Sequence, residues 1–118
     1  MFDHIGLHVW DMEASRRFYT QVLAPLGYQP DASGTGFGPG DAPALWLYTN
    51  GKERHPSGVH VAFKASTRDA VERFHRAGLA AGGKDNGAPG VRADYAPNYF
   101  AAFLLDPDGN NVEAVCMT

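Results

Sequence analysis

The chain repeats itself, and that restricts its architecture more than any other feature. A shift of 56 residues lays His4 on His60, Ala14 on Ala70, Arg17 on Arg73 and Phe18 on Phe74. The same shift matches Leu23 with Leu79, Ala24 with Ala80 and Gly27 with Gly83. Seven ungapped identities in 24 residues mark a duplication. The modules run over about 1–54 and 55–118, inside one domain spanning 1–118.

Each module opens with a strand of alternating character. Ile5, Leu7 and Val9 form an apolar face, with His4, Gly6 and His8 on the other. In the second copy Val59, Val61 and Phe63 oppose His60, Ala62 and Lys64. A helix follows each strand. Asp11 is the expected N-cap of one that buries Ser15, Phe18, Tyr19, Val22 and Leu23. Ser66 with Asp69 reads as a capping box for the next, which should bury Val71, Phe74 and Leu79. Gly27 and the Gly82–Gly83 pair stand where helices end. Beyond the first helix, 28–40 reads as a loose hairpin and Ala44–Tyr48 as a strand. Beyond the second, strands Tyr99–Leu105 and Asn111–Cys116 flank the turn Asp106-Pro107-Asp108-Gly109. Residues 84–98, with Lys84, Asn86, Arg92, Tyr95 and Asn98, read as a polar loop, either a lid or a plain connection. The expected fold class is α+β, built from two β-α-β-β-β modules.

Strand alternation also sorts the chemistry. Val112, Ala114 and Cys116 share the helix-facing side of the last strand, and Glu113 points the other way. His4, His60 and Glu113 therefore all lie on faces opposite their helices. Joined edge to edge, the modules would bring these residues into one concavity. Two imidazoles and a carboxylate with open positions suit Fe2+, and also Mn2+ or Zn2+. Aligning the final strands of the modules sets Trp46 where Glu113 stands. An indole cannot ligate a metal, so the site has three protein ligands at most unless another loop supplies one, and Trp46 reads as an apolar wall or as plain core packing. His8 and Tyr95 are the candidates for proton transfer; Arg92 and Lys84 could hold a substrate anion, against the ordinary reading of solvated surface charge. His55 and His75 read as ordinary residues, and Cys116 as a buried core thiol.

Composition removes other classes. Ten basic and thirteen acidic residues leave a net charge of −3, so no nucleic-acid footprint is present. Cys116 is the only cysteine, which excludes a disulfide framework and a thiolate metal cluster. The longest apolar run, Tyr99–Leu105, is far short of the roughly 20 residues that span a bilayer. The Met-Phe-Asp-His start lacks the form of a signal peptide, so a cytoplasmic domain without membrane partners is expected.

Three segments carry a family resemblance. Asp3-His4-Ile5-Gly6-Leu7-His8-Val9 with Ala14-Ser15-Arg16-Arg17-Phe18-Tyr19 resembles the opening of a vicinal-oxygen-chelate module. Gly58-Val59-His60-Val61-Ala62-Phe63 resembles the start of its second module, and Leu105-Asp106-Pro107-Asp108-Gly109-Asn110-Asn111-Val112-Glu113 its ending. The superfamily includes glyoxalase I, extradiol dioxygenases, fosfomycin-resistance transferases and bleomycin-resistance proteins. The resemblance implies paired βαβββ modules in a cupped mixed sheet with helices outside. It also implies a divalent metal on His4, His60 and Glu113, with a small-molecule substrate bound through adjacent oxygens. It allows a site within one chain or one shared across a homodimer. The expected activity is that of a metal-dependent lyase or extradiol-type dioxygenase. The alternative is a metal-free drug or metabolite binder of bleomycin-resistance type, with Trp46 as its stacking wall.

Overall fold

Two passes of strand, helix and three strands account for residues 1–49 and 58–118, which a computed structural model describes. The expected module boundary and His55 lie outside these residues. The first pass is β1 (Ile5–His8), α1 (Met12–Leu23), a 3-10 turn (Ala24–Leu26), β2 (Tyr28–Pro30), β3 (Gly36–Pro39) and β4 (Leu45–Tyr48). The second is β5 (His60–Lys64), α2 (Arg68–Ala80), β6 (Lys84–Val91), β7 (Phe100–Leu105) and β8 (Asn111–Cys116). The strand orders are β1-β4-β3-β2 and β5-β8-β7-β6, so the duplication extends to topology. In each sheet the first and last strands of the module pair in parallel, and the other pairings are antiparallel.

Local chemistry explains the helices. The Asp11 carboxylate accepts from Ala14 N–H at 3.1 Å and caps α1 as expected. All five residues expected in its buried face are buried. Gly27 ends the 3-10 turn in the left-handed region at φ 86°, which a side chain would resist. The second cap falls one residue beyond the expected Ser66: Thr67 Oγ1 accepts from Ala70 N–H at 3.0 Å. Leu79 was expected in the core but is exposed, because the apolar face of α2 runs through Ala70, Val71, Phe74 and Gly78. His75 is buried beside them and bonds Asp85 at 2.9 Å, tying α2 to β6. That hydrogen bond, and then the Gly87 N–H, hold the Asp85 carboxyl below the usual range.

Residues 84–98 are not one loop. Lys84–Val91 form a strand on the outer edge of the second sheet, interrupted by two register shifts. Gly87, Pro89 and Gly90 hide it from any periodic pattern, and an edge strand tolerates such residues.

The modules meet through their helices, with α1 packed on α2. Two carboxylates at the β7–β8 turn tie them together. Asp106 is buried and accepts from Tyr19 Oη of α1, Asn110 Nδ2 and the Asp108 and Asn110 amides. Burial first, then the charge and hydrogen bond of Asp106, raise the Tyr19 phenol well above its ordinary pKa, so it remains a donor. Asp108 accepts from Trp10 N–H at 2.9 Å and from Ser15 Oγ at 3.4 Å.

The two sheets remain separate. Among the described residues β1 and β5 form no ladder, and each is a free edge. Ile5 and Leu7 of the one and Val61 and Phe63 of the other line a common cavity of about 700 Å³.

Candidate metal and substrate site

The face of the second sheet turned away from α2 gathers the chemistry. In register, Glu113 of β8 stands opposite Ala62 on one side and Phe103 on the other. Residues 99, 101 and 103 share that face by strand alternation, so Tyr99 and Phe103 flank Glu113. The Glu113 carboxylate is 2% exposed and needs partners. One oxygen, Oε2, accepts the Tyr99 hydroxyl. The other, Oε1, lies 3.0 Å from His60 Nε2. Burial, then the hydrogen bond and charge of Glu113, then Tyr95, push the Tyr99 phenol up to about 12, so it donates at any physiological pH.

His60 is oriented from behind. Its Nδ1 lies 3.0 Å from the Asn111 carbonyl, which can only accept, so the proton sits on Nδ1. In the neutral ring Nε2 is then a lone pair, and it faces a carboxylate oxygen. Two acceptors at 3.0 Å call for a cation between them, either a proton or a metal ion. Two donors bound at about 2.1 Å on adjacent octahedral positions also stand about 3 Å apart. The pair therefore fits a divalent metal.

His4 does not join this pair within the chain. It precedes β1, its Nδ1 lies 2.6 Å from Asp3 Oδ1, and both side chains are exposed. A carboxylate accepts, so Nδ1 again carries a proton, and in the neutral ring Nε2 is then a lone pair. His4 and His60 both line the cavity between β1 and β5. Among the described residues no three His, Cys, Asp or Glu side chains converge as a metal-binding group.

The corresponding face of the first sheet is aromatic. Gly6 stands opposite Trp46 as Ala62 stands opposite Glu113, so the register places the indole at the carboxylate's position. The indole lies across Gly36, where a Cβ would come within 2.6 Å of the ring. The His8 ring meets Tyr48 edge-on at 5.2 Å, on the first module. Tyr95 is exposed but touches Tyr99 edge-on at 5.0 Å, which brings it to the Glu113 side. The Arg92 guanidinium lies 5.3 Å from the Phe103 centroid, whereas Lys84 is exposed at the start of β6. Tyr99 was not among the sequence candidates. The signal that finds it is alternation: it stands four residues before Phe103, on the face that carries Glu113.

Comparison with known proteins agrees with this frame. The sequence model of the Glyoxalase/Bleomycin resistance protein/Dioxygenase superfamily matches residues 1–114. The chain belongs to this superfamily. A glyoxalase/bleomycin resistance protein from Albidiferax ferrireducens T118 is 31% identical, with 100% of this chain and 99% of that one covered and a TM-score of 0.83. A family enzyme from Burkholderia phytofirmans PsJN shares the fold at TM-score 0.73 and 20% identity, covering 98% of each chain. A glyoxalase I variant from Zea mays matches at 25% identity and TM-score 0.70, over 96% of this chain but 45% of that one. No protein of curated function matches the sequence. The superfamily includes enzymes, and among the described residues no helix is long and apolar enough to cross a membrane.

Proposed function

We propose that the chain is a metal-dependent enzyme of the glyoxalase/dioxygenase kind, acting on a small molecule that presents two vicinal oxygens. The observation that carries this is the His60 Nε2 lone pair set 3.0 Å from a buried Glu113 oxygen, with the ring proton already committed to Asn111. His60 and Glu113 would hold Fe2+, Mn2+ or Zn2+, with His4 as third ligand. A bound divalent metal supplies Lewis-acid stabilisation of an anion developing on the substrate oxygens. Tyr99 holds the Glu113 carboxylate in place through its hydroxyl. Tyr95, beside Tyr99, and His8 are the groups placed to carry a proton to or from the substrate. Trp46 would wall the first module's side of the cup.

His4 would come from a second copy of the chain. Within one chain it bonds Asp3 away from the Glu113 pair, and β1 and β5 both present unpaired edges of the kind that recruit another chain. The protein would thus be a homodimer.

A proton between His60 and Glu113 satisfies the same pair of acceptors. The second reading is therefore a metal-free binder of bleomycin-resistance type, favoured by the aromatic face of Trp46, Tyr48 and His8. Elemental mass spectrometry of untagged protein separates the two. The enzyme reading expects close to one iron, manganese or zinc per chain, falling at least about tenfold in Glu113→Ala. Wild-type protein that stays metal-free after reconstitution with all three metals overturns it.

A further inference from the structure

Arg92 is fixed on backbone carbonyls and an aromatic ring, as Arg68 is on the Thr118 carbonyl and the Phe100 ring, but Arg92 is held beside the Glu113 pair. Its side chain turns back along β6, donating from Nη1 to the Gly90 carbonyl at 2.8 Å and from Nη2 to the Ala88 carbonyl at 2.7 Å. Its guanidinium lies over the Phe103 ring. Two glycines make room for it: a Cβ at Gly87 would stand 3.2 Å from Nη2, and one at Gly90 3.2 Å from Nη1. Gly87 also takes φ +154°, and the β6–β7 register breaks on both sides of it. Bulges of this kind re-aim side chains beside functional sites.

The same ring ties Arg92 to the Glu113 pair. Phe103 stands opposite Glu113, and its ring is stacked with His60 at 6.3 Å and 22°. One aromatic ring thus has His60 and the Arg92 guanidinium as neighbours. Two of the five guanidinium N–H groups go to the backbone carbonyls, and no carboxylate of the described residues pairs with the cation. Arg16 pairs with Glu13 and Arg73 with Asp69, so what distinguishes Arg92 is its place on the ring that also stacks with His60. A guanidinium fixed on a ring and two carbonyls loses little freedom when it binds a planar oxyanion with the N–H groups that remain.

We propose that Arg92 is the anion-recognition residue of this site, and that the substrate carries a carboxylate in addition to its two vicinal oxygens. This rests on the metal-dependent reading only for the placing of those oxygens. A purely structural Arg92 would pin the bulged edge of β6 and show no preference for charge in a ligand.

The test uses two probes with the same adjacent hydroxyls and different charge, 3,4-dihydroxybenzoate and 3,4-dihydroxybenzamide. Each is titrated calorimetrically into the protein as purified, with metal content measured on the same samples. Wild type should bind the benzoate about tenfold or more tightly than the amide. In Arg92→Gln the two affinities should come within about twofold, with the circular dichroism spectrum and amide binding retained. Arg92→Lys, which keeps the charge and loses the fork, should fall between. Equal binding of the probes to wild type overturns the inference, as does a preference that survives in Arg92→Gln or binding of neither probe at millimolar concentration. The wild-type comparison needs no variant to fold. Metal content reports separately on the metal-dependent reading, so either can fail alone.

Discussion

A single hydroxyl keeps the buried Glu113 carboxylate from pairing with His60 alone. Tyr99 donates to Oε2 while His60 addresses Oε1, so each oxygen has one partner. Removing the donor orphans an acceptor, and Tyr99→Phe should cost about 1 kcal/mol, the low end for a bond to a charged group at a partly exposed site. The pH dependence has a definite sign. The Tyr99 pKa is raised from 10.0 to about 12, so its stabilisation is complete below pH 10 and disappears as pH rises towards 12. Urea midpoints of wild type and Tyr99→Phe should therefore differ at pH 7 and converge between pH 10 and 12. A gap that stays constant across that range would mean that the phenol contributes by packing alone. His60 and Glu113 were legible in the sequence because period-2 alternation settles which face a strand residue occupies. Alternation puts Tyr99 on the same face, but its bond to Glu113 was not legible, because it depends on the β7–β8 register and on a reach across strands.

Elements were legible where one period dominates. Asp11 as cap, the buried face of α1, the β7–β8 turn and β8 itself follow from local pattern and turn chemistry. β6 does not, because two register breaks and Gly87, Pro89 and Gly90 destroy alternation along an edge strand. In α2, periodicity puts Leu79 in line with the core, but the helix packs through Gly78 instead. A Cβ at Gly78 would sit 2.2 Å from Leu104 Cδ1 and 3.1 Å from Val22 Cγ1, and both residues are fully buried. Gly78 thus sets how closely α2 approaches β7 and α1. Two effects compete in Gly78→Ala. Helix propensity favours alanine by about 1 kcal/mol, whereas overpacking a closed core costs about 1–3 kcal/mol. The clash is well inside contact distance and Leu104 has no solvent side to yield towards, so overpacking should win. We expect a net loss of about 1–2 kcal/mol in denaturant unfolding. A more stable variant would show that the α1–α2–β7 junction has slack.

Across the whole molecule the duplication has produced two faces of different chemistry. The first module's face carries Trp46, Tyr48 and His8, and the second carries His60, Glu113, Tyr99 and Arg92 over Phe103. The repeat made the equivalence of His4 and His60 readable. It could not say whether they meet, because that depends on how modules associate and not on the pattern within either. Helix-to-helix packing inside the chain leaves β1 and β5 as unpaired edges, with an apolar cavity between them. On the proposed dimeric reading, His4 of one subunit completes the His60–Glu113 pair of the other. That makes a prediction which one chain cannot fulfil. His4→Ala and Glu113→Ala, each purified alone, should hold little metal. In a heterodimer of the two, the Glu113→Ala chain still offers His4, and the His4→Ala chain still offers His60 and Glu113. One site is then intact and the other lacks both altered ligands. Co-expression with two different affinity tags, followed by sequential purification, isolates that heterodimer. Elemental analysis should return about one metal ion per dimer, half of the wild-type content, because one of the two symmetry-related sites is restored. Heterodimers as empty as the parent variants would place all ligands of a site within one chain, and the modules would then have to close edge to edge to bring His4 to Glu113.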